Sequence, residues 1–170
     1  MNAPNYKIEL VPYREEWVGK FAREKEVLAR ALAPLNHRIE HIGSTAVRGA
    51  KAKPIIDIAV FLDTVQAVPR LVEPLAGIEY QYLGEFGLPG RHFFIKGDPR
   101  AYHLHIVDST TDHWQRWVQF RDALRKDADL LKRYQELKAS LAEIYHSDRE
   151  KYTASKSSFI NAVVEGRKTA

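Results

Sequence analysis

The pattern of apolar residues predicts an α+β fold, with strands gathered in the first two-thirds of the chain and a helical segment after them. Three observations carry this expectation. Residues 54–62, Pro-Ile-Ile-Asp-Ile-Ala-Val-Phe-Leu, are apolar with one interruption, as a strand buried on both faces is. Three further apolar runs, Ile78 to Phe86, His92 to Lys96 and Tyr102 to Val107, are separated by Gly87-Leu88-Pro89-Gly90 and Gly97-Asp98-Pro99, whose glycines and prolines mark turns. From His113 onward the apolar residues recur at helical spacing.

Taken in order, Tyr6 to Tyr13 alternates apolar and polar residues and predicts a short strand before Pro12 turns the chain. Glu15 to Leu32 places Trp17, Phe21, Val27, Leu28, Ala31 and Leu32 at helical spacing, with Arg23, Glu24, Lys25 and Glu26 on the outer face and Pro34 as terminator. Arg38 to Ile42 predicts a strand running into Gly43-Ser44, and Pro54 to Leu62 a buried central strand. Thr64 to Ala76 predicts a helix capped by Asp63 or Thr64 and stopped at Gly77, shortened or kinked by Pro69 and Pro74. The runs from Ile78 to Val107 predict a meander of antiparallel strands. Two or three helices then follow, broken near Asp127 and Ser147-Asp148.

The 170 residues suit one domain spanning 1–170, and 45% hydrophobic with 28% charged residues excludes disordered and fibrous chains. The absence of cysteine excludes disulfides, thiol catalysis and thiolate zinc sites, so any metal must be held by histidines and carboxylates. The N-terminal residues lack the apolar run of a secretory signal, and no stretch approaches the roughly 18 apolar residues of a membrane span. The expectation is a cytoplasmic protein without membrane association. A formal charge of +4 either attracts phosphate-bearing molecules or serves only as solubilising surface charge.

The densest unusual segment runs from Glu40 to Asp57. Gly43 allows close approach of the backbone to a ligand, and Ser44 and Thr45 offer hydroxyls and backbone N–H groups to phosphate oxygens; the same turn can equally do no more than cap a helix. Asp57 stands inside the apolar run, where a carboxylate requires a partner; a hydrogen bond to backbone, or Lys53, would satisfy it without any functional role. In Tyr102-His103-Leu104-His105-Ile106-Val107, period-two geometry puts His103 and His105 on one face. With a carboxylate, two imidazoles can ligate a metal, donate to phosphate or act as acid and base; otherwise one is a satisfied core residue. Lys53, Arg91, His92 and Arg100 border this face as candidate anion ligands, each also readable as a solvated charge. Lys25, Lys132, Lys138 and Arg149-Glu150-Lys151 read as helix surface. Trp114 and Trp117 read as residues packing the helices.

The segments Glu40-His41-Ile42-Gly43-Ser44-Thr45-Ala46-Val47, Ala52-Lys53-Pro54-Ile55-Ile56-Asp57-Ile58, His103-Leu104-His105 and Phe120-Arg121-Asp122-Ala123-Leu124-Arg125, followed by Tyr134, Leu137-Lys138, Tyr152, Lys156 and Phe159-Ile160, resemble the GrpB family of the nucleotidyltransferase superfamily over nearly the whole chain. The resemblance implies a polymerase-beta-like fold, a small mixed sheet flanked by helices, in which Gly43 and Ser44 match the phosphate-holding turn. It also implies metal-dependent nucleotidyl transfer, with Asp57 matching the second carboxylate of an Asp-x-Asp pair. Ile55 stands where the first carboxylate belongs, and His103 and His105 stand where a later strand usually offers an acidic residue. One carboxylate with two histidines suits manganese, zinc or iron better than magnesium. Arg48 and Ala50 depart from the family's proline and leucine, and Arg48 adds a cation beside the turn.

Three readings follow. One is an enzyme transferring a nucleotidyl or related phosphate-bearing group to a small molecule or RNA, with Asp57, His103 and His105 as catalytic and metal-binding residues and Gly43, Ser44, Thr45, Lys53, Arg91 and Arg100 on the substrate. The second is a non-catalytic module binding a nucleotide or a coenzyme A precursor, since relatives of the family occur fused to dephospho-coenzyme A kinase. The third is a mononuclear metal enzyme built on Asp57, His103 and His105. RNA ranks behind a small-molecule partner, because no basic stripe is interleaved with exposed aromatics. Oligomeric state is not fixed by these residues.

Overall fold

The computed structural model describes residues 8–166. Helix α1, Glu16–Leu32, buries Trp17, Leu28 and Leu32 and ends where Ala33 turns extended ahead of Pro34. Its face is less simple than periodicity predicts: Glu24, expected on the outer surface, is buried and pairs with Lys96 at 2.9 Å. The strand expected over Tyr6 to Tyr13 reduces, within the described residues, to a single antiparallel bridge between Val11 and Ala52; Tyr6 and Lys7 lie outside them.

Five strands form one mixed sheet in the order β1-β2-β5-β4-β3. They are β1 His37–Ile42, β2 Ile56–Leu62, β3 Gln81–Tyr82, β4 His92–Lys96 and β5 Tyr102–Val107. β2 runs parallel to β5 and antiparallel to β1, while β3, β4 and β5 form the expected antiparallel meander. The first strand of that meander is much shorter than its apolar run. Glu79 takes a positive φ, the Tyr80 N–H returns to the Leu75 carbonyl, and beyond Leu83 positive φ at Gly84, Phe86 and Gly87 curls the chain into a loop.

Between β2 and β3 the expected helix splits into a 3₁₀ segment, Val65–Arg70, capped by Thr64, and helix α2, Val72–Ala76. The cause is proline: Pro69 sits inside the first piece and Pro74 inside the second, each without an N–H to donate. After the sheet come α3 His113–Lys126, α4 Ala128–Ile144, α5 Arg149–Ser155 and α6 Ser157–Val164, a larger number of helices than expected because Lys156 separates the last two. The two anticipated breaks are caps. The carboxylates of Asp127 and Asp148 accept from Leu130 N–H at 2.8 Å and Lys151 N–H at 3.0 Å. Among the described residues no helix is long and apolar enough to cross a membrane.

Period two divides the sheet. One face presents Ile56, Ile58, Val60, Leu62, Phe94, Leu104 and Ile106 to Trp17, Leu28 and Leu32 of α1 and to Leu71 and Leu75, and this is the main core. Each fully buried aliphatic side chain there contributes roughly 1.5–3 kcal/mol. The opposite face carries Asp57, Ala59, His103 and His105 and lies under the C-terminal helices. Trp114, 7% exposed, seats α3 on that face against Phe61.

Candidate functional site

The register of β2 and β5 builds the polar centre. Asp57 is aligned with His103, and His105 with Ala59 one pleat along, so both imidazoles reach the same carboxylate. His103 Nδ1 lies 3.0 Å and His105 Nε2 3.4 Å from Asp57 Oδ1. Burial alone would raise the Asp57 pKa. Hydrogen bonds from His103 and then His105, together with their charges, outweigh it and hold the carboxyl well below the usual carboxylate range. Burial pushes the His105 imidazole down, against the pull of Asp57.

Gly43 closes over this carboxylate. Its φ of 72° and ψ of −174° belong to a region that essentially only glycine occupies, and a Cβ there would stand 2.7 Å from Asp57 Oδ2. The following 3₁₀ turn, Ser44–Ala46, is held from outside by α3. Arg125 donates to the Ala46 carbonyl at 3.0 and 2.8 Å, and Arg121, buried, donates to the His41 carbonyl at 2.9 Å and to Glu40 Oε2 at 2.6 Å. These contacts account physically for the Glu40-His41 and Arg121–Arg125 segments.

Beside Ser44 lies a cluster of three lysines: Lys53, expected at the site, with Lys138 and Lys156. Lys138, taken as helix surface, is 2% exposed; its Nζ donates to Ser44 Oγ at 3.1 Å and to the Lys51 carbonyl. Burial, then the charge of Lys53, lowers its pKa to about 8. Lys156 is lowered to about 7 by burial, then by Lys53 and Lys138. The ammonium of Lys138 lies 4.9 Å from the centre of the Tyr134 ring, and those of Lys53 and Lys156 lie 5.3 and 4.2 Å from that of Tyr152, so aromatic faces partly offset the loss of water. A signal for Lys138 existed: it falls four residues after Tyr134, eight after Leu130 and three before Leu141, on the stripe that α4 buries.

Other expected ligands separate. Thr45 is buried, its hydroxyl set between His41 Nε2 at 2.9 Å and the Ile55 carbonyl at 3.4 Å, so it faces the interior. His41 is itself internal, stacked on Phe21 and pushed by burial to a pKa of about 4. Arg91 approaches the centre, its Nη1 3.5 Å from His105 Nδ1. His92 faces outward to the Tyr82 hydroxyl at 2.7 Å. Arg100 lies in the turn between β4 and β5, partly buried. Arg48 projects outward to Glu15 at 3.6 Å, and Ala50 is buried with Leu124, Tyr134 and Phe159. Trp117, expected to pack helices, packs α3 against the cluster of Ile42, Ala59, Val107 and Trp114, and also sets its ring 5.2 Å from that of His105.

One ligand atom from each of Asp57, His103 and His105 lies within 4.8 Å of the others. The Asp57 separations of 3.0 and 3.4 Å match the edges of about 3.0 to 3.4 Å between ligands that bond a metal at about 2.1 Å. The inner contacts therefore fit one ion of the manganese, iron or zinc type. They do not fit a magnesium pair, because Asp57 is the only carboxylate of the cluster. The outer contacts are weak for a ligand set: a ligating histidine normally donates its second N–H to an acceptor, whereas His105 Nδ1 faces a guanidinium and His103 Nε2 is buried without a partner. Such a site would hold an ion loosely.

A family profile described as "GrpB protein" matches residues 7–166. The chain is 40% identical over 168 residues to a UPF0157 protein of Pseudomonas aeruginosa, covering 96% of this chain and 69% of that one. It is 32% identical over 164 residues to the glutamate-rich protein GrpB of Alkalihalophilus pseudofirmus, covering 93% and 94%. A dephospho-CoA kinase of Mycolicibacterium paratuberculosis is 29% identical over 175 residues, and there the match spans 88% of this chain and 43% of the kinase. Among solved structures, conserved protein GrpB from Enterococcus faecalis superposes with a TM-score of 0.85 at 34% identity, covering 93% and 96% of the two chains. The RNA terminal uridylyl transferase Cid1 superposes at 0.53 with 16% identity, over 81% of this chain and 43% of its own, and shares the fold.

Proposed function

Since the chain belongs to the GrpB family, whose fold it shares with a nucleotidyltransferase, we propose that it binds a nucleotide or another phosphate-bearing small molecule and supports group transfer at Asp57. The observation that carries this reading is the lysine cluster. Lys138, buried and bonded to the Ser44 hydroxyl, sits with Lys53 and Lys156 close enough to depress one another's protonation, an arrangement that a polyanion relieves. Phosphate oxygens accept from the Lys138 ammonium and the Ser44 hydroxyl, and Gly43 lets the turn lie close to Asp57. A bound divalent ion on Asp57, His103 and His105 would polarise a phosphoryl oxygen as a Lewis acid. Burial disfavours the charged form of His105, and the neutral form is the one that can hold that ion or accept a proton from an attacking hydroxyl. Arg91 beside His105 adds positive charge on the far side of the carboxylate. Cid1 has been seen with magnesium and 3′-dATP, which is in keeping with a nucleotide as ligand here.

Thermal unfolding with ATP, inorganic tripolyphosphate, and each with manganese or magnesium tests the reading. Ligand at 100 times its Kd stabilises by about 2.7 kcal/mol, or about 8 °C for a chain of this length. The wild type is expected to show such shifts, and Lys138→Met to lose them while remaining folded. No shift with any of these ligands at millimolar concentration overturns the proposal.

A second reading keeps the pocket and drops the chemistry: a binding module for a nucleotide or a coenzyme A precursor. Ile55, buried where the superfamily's Asp-x-Asp pair has its first carboxylate, favours it, as does the similarity to a dephospho-CoA kinase. Phosphate-dependent stabilisation without turnover of any nucleotide supports that reading over the first. Stoichiometric metal in protein purified without added ions, lost in His103→Ala, supports a mononuclear metal enzyme instead.

A further inference from the structure

Phe86 is 55% exposed and has a φ of 47°, a left-handed conformation that bulky residues rarely adopt. Its loop is nevertheless tied down. The Gly90 N–H donates to Glu85 Oε1 at 2.6 Å, and the Arg91 guanidinium donates to the Glu85 carbonyl at 3.0 and 3.2 Å and to the Phe86 carbonyl at 2.8 Å. The same guanidinium reaches His105, so the loop and the polar centre share one anchor.

The inner face of the Phe86 ring stacks on Phe93, with centroids 5.3 Å apart and planes 26° apart. Phe93 in turn lies 5.2 Å from His103 and 5.0 Å from His105. A run of aromatic rings therefore leads from solvent to the Asp57 cluster along β4. Ser44 reaches the same cluster from the other side, where the turn follows β1, and Lys138 comes with it. The carboxylate has the lysines on one flank; on the other it has Arg91, whose guanidinium lies 4.6 Å from the centre of the Phe93 ring, and beyond Phe93 the exposed ring of Phe86.

We propose that the outer face of Phe86 is a stacking site for a planar aromatic ring, a nucleobase or comparable heterocycle, on the substrate moiety that lies across Asp57 from the phosphates. The position of those phosphates rests on the function proposed above; the stacking does not. A ring held rigidly with one face packed and the other in water loses little entropy on accepting a second ring. Base stacking on an exposed aromatic is worth about tenfold or more in affinity.

Binding of ATP, adenosine and inorganic tripolyphosphate to wild type, Phe86→Leu and Phe86→Trp, measured calorimetrically, tests this. Leucine covers Phe93 about as well as phenylalanine does but cannot stack, so unchanged unfolding temperatures separate packing from recognition. Phe86→Leu is expected to weaken the adenosine-bearing probe about tenfold, to leave tripolyphosphate within about twofold, and to be rescued by Phe86→Trp. If ATP alone is weakened, ring and phosphates belong to one molecule. If adenosine binds beside ATP and only adenosine is weakened, the ring belongs to the acceptor; both results support the site. Phe86→Leu leaving ATP and adenosine unchanged, or a wild type that binds neither, overturns it. Tripolyphosphate failing to bind while adenosine still depends on Phe86 refutes the phosphate site and leaves the stacking site standing.

Discussion

Replacing Gly43 by alanine tests how tightly the turn is fitted to the carboxylate. Two costs arise. The first is backbone: at φ 72° and ψ −174° a side chain is strained by roughly 1–3 kcal/mol. The second is contact, because the new methyl would meet Asp57 Oδ2 at 2.7 Å and Asp57 Cβ and Cγ at 3.2 Å. The carboxylate cannot swing away freely, since its other oxygen receives His103 at 3.0 Å and His105 at 3.4 Å. Weakening one hydrogen bond to a charged group costs about 1.5–3 kcal/mol. Together the two predict a loss of about 2.5–6 kcal/mol, or about 8–18 °C in Tm at about 3 °C per kcal/mol for a chain of this length.

Thermal and urea unfolding of Gly43→Ala measures the sum, and the same substitution made in Asp57→Ala isolates the contact. Without the carboxylate only the backbone strain remains, so the cost should fall by about half. Equal costs in both backgrounds would show that Asp57 does not select glycine here. A loss under about 1 kcal/mol in the wild type would refute both parts of the reasoning.

Two further outcomes follow from the surroundings of the turn. Because Lys138 and Lys156 have pKa values lowered to about 8 and about 7, phosphate binding at pH 8 is expected to restore protons to them, an uptake of roughly one or more per ligand, read from the buffer dependence of the calorimetric heat. Affinity therefore falls from pH 7 to 9. The stability of the free protein moves the other way, since lysines with depressed folded pKa values stabilise fully only above about 10.5 and lose that contribution as pH falls toward 7; parallel trends would contradict the assignment. Arg121→Met removes the donor to the His41 carbonyl and the partner of Glu40 and Asp122, and because both carboxylates are part-exposed the loss should be about 2 kcal/mol, or about 6 °C in Tm, rather than the 3–5 of a fully buried pair.

How far each residue was legible follows from what local pattern can carry. Asp57 announced itself because a carboxylate in an apolar strand needs a partner, and His103 with His105 because period two puts them on one side. Their meeting depends on β2 lying beside β5 in parallel register, a pairing that no local pattern in either strand specifies. Thr45 was misplaced because a Gly-Ser-Thr turn does not reveal which hydroxyl points inward; the answer lies in His41, a neighbour only in space. Lys138 was missed for a different reason. Charge was taken to mean surface, although its position on the Leu130–Tyr134–Leu141 stripe said otherwise. The strand over Ile78 to Phe86 failed because Glu79 and Phe86 adopt positive φ without being glycine, leaving no mark in composition.

The charges of the cleft constrain its chemistry more than any single residue does. A phosphate brought to Ser44 by Lys138 approaches Asp57, and two like charges about 4 Å apart repel by about 4 kcal/mol at an effective dielectric constant near 20. Lys53, Lys138 and Lys156 offset the phosphate charge at Ser44 and Arg91 stands beside His105, but the groups bonded to the carboxylate itself are His103 and His105. Positive charge added on phosphate binding is therefore expected at the imidazoles, either as a divalent ion on their nitrogens or as a proton. The two alternatives separate experimentally. If an ion enters, phosphate affinity depends on manganese or zinc and His103→Ala abolishes that dependence; if a proton enters, chelator has no effect and affinity rises as pH falls through the histidine range.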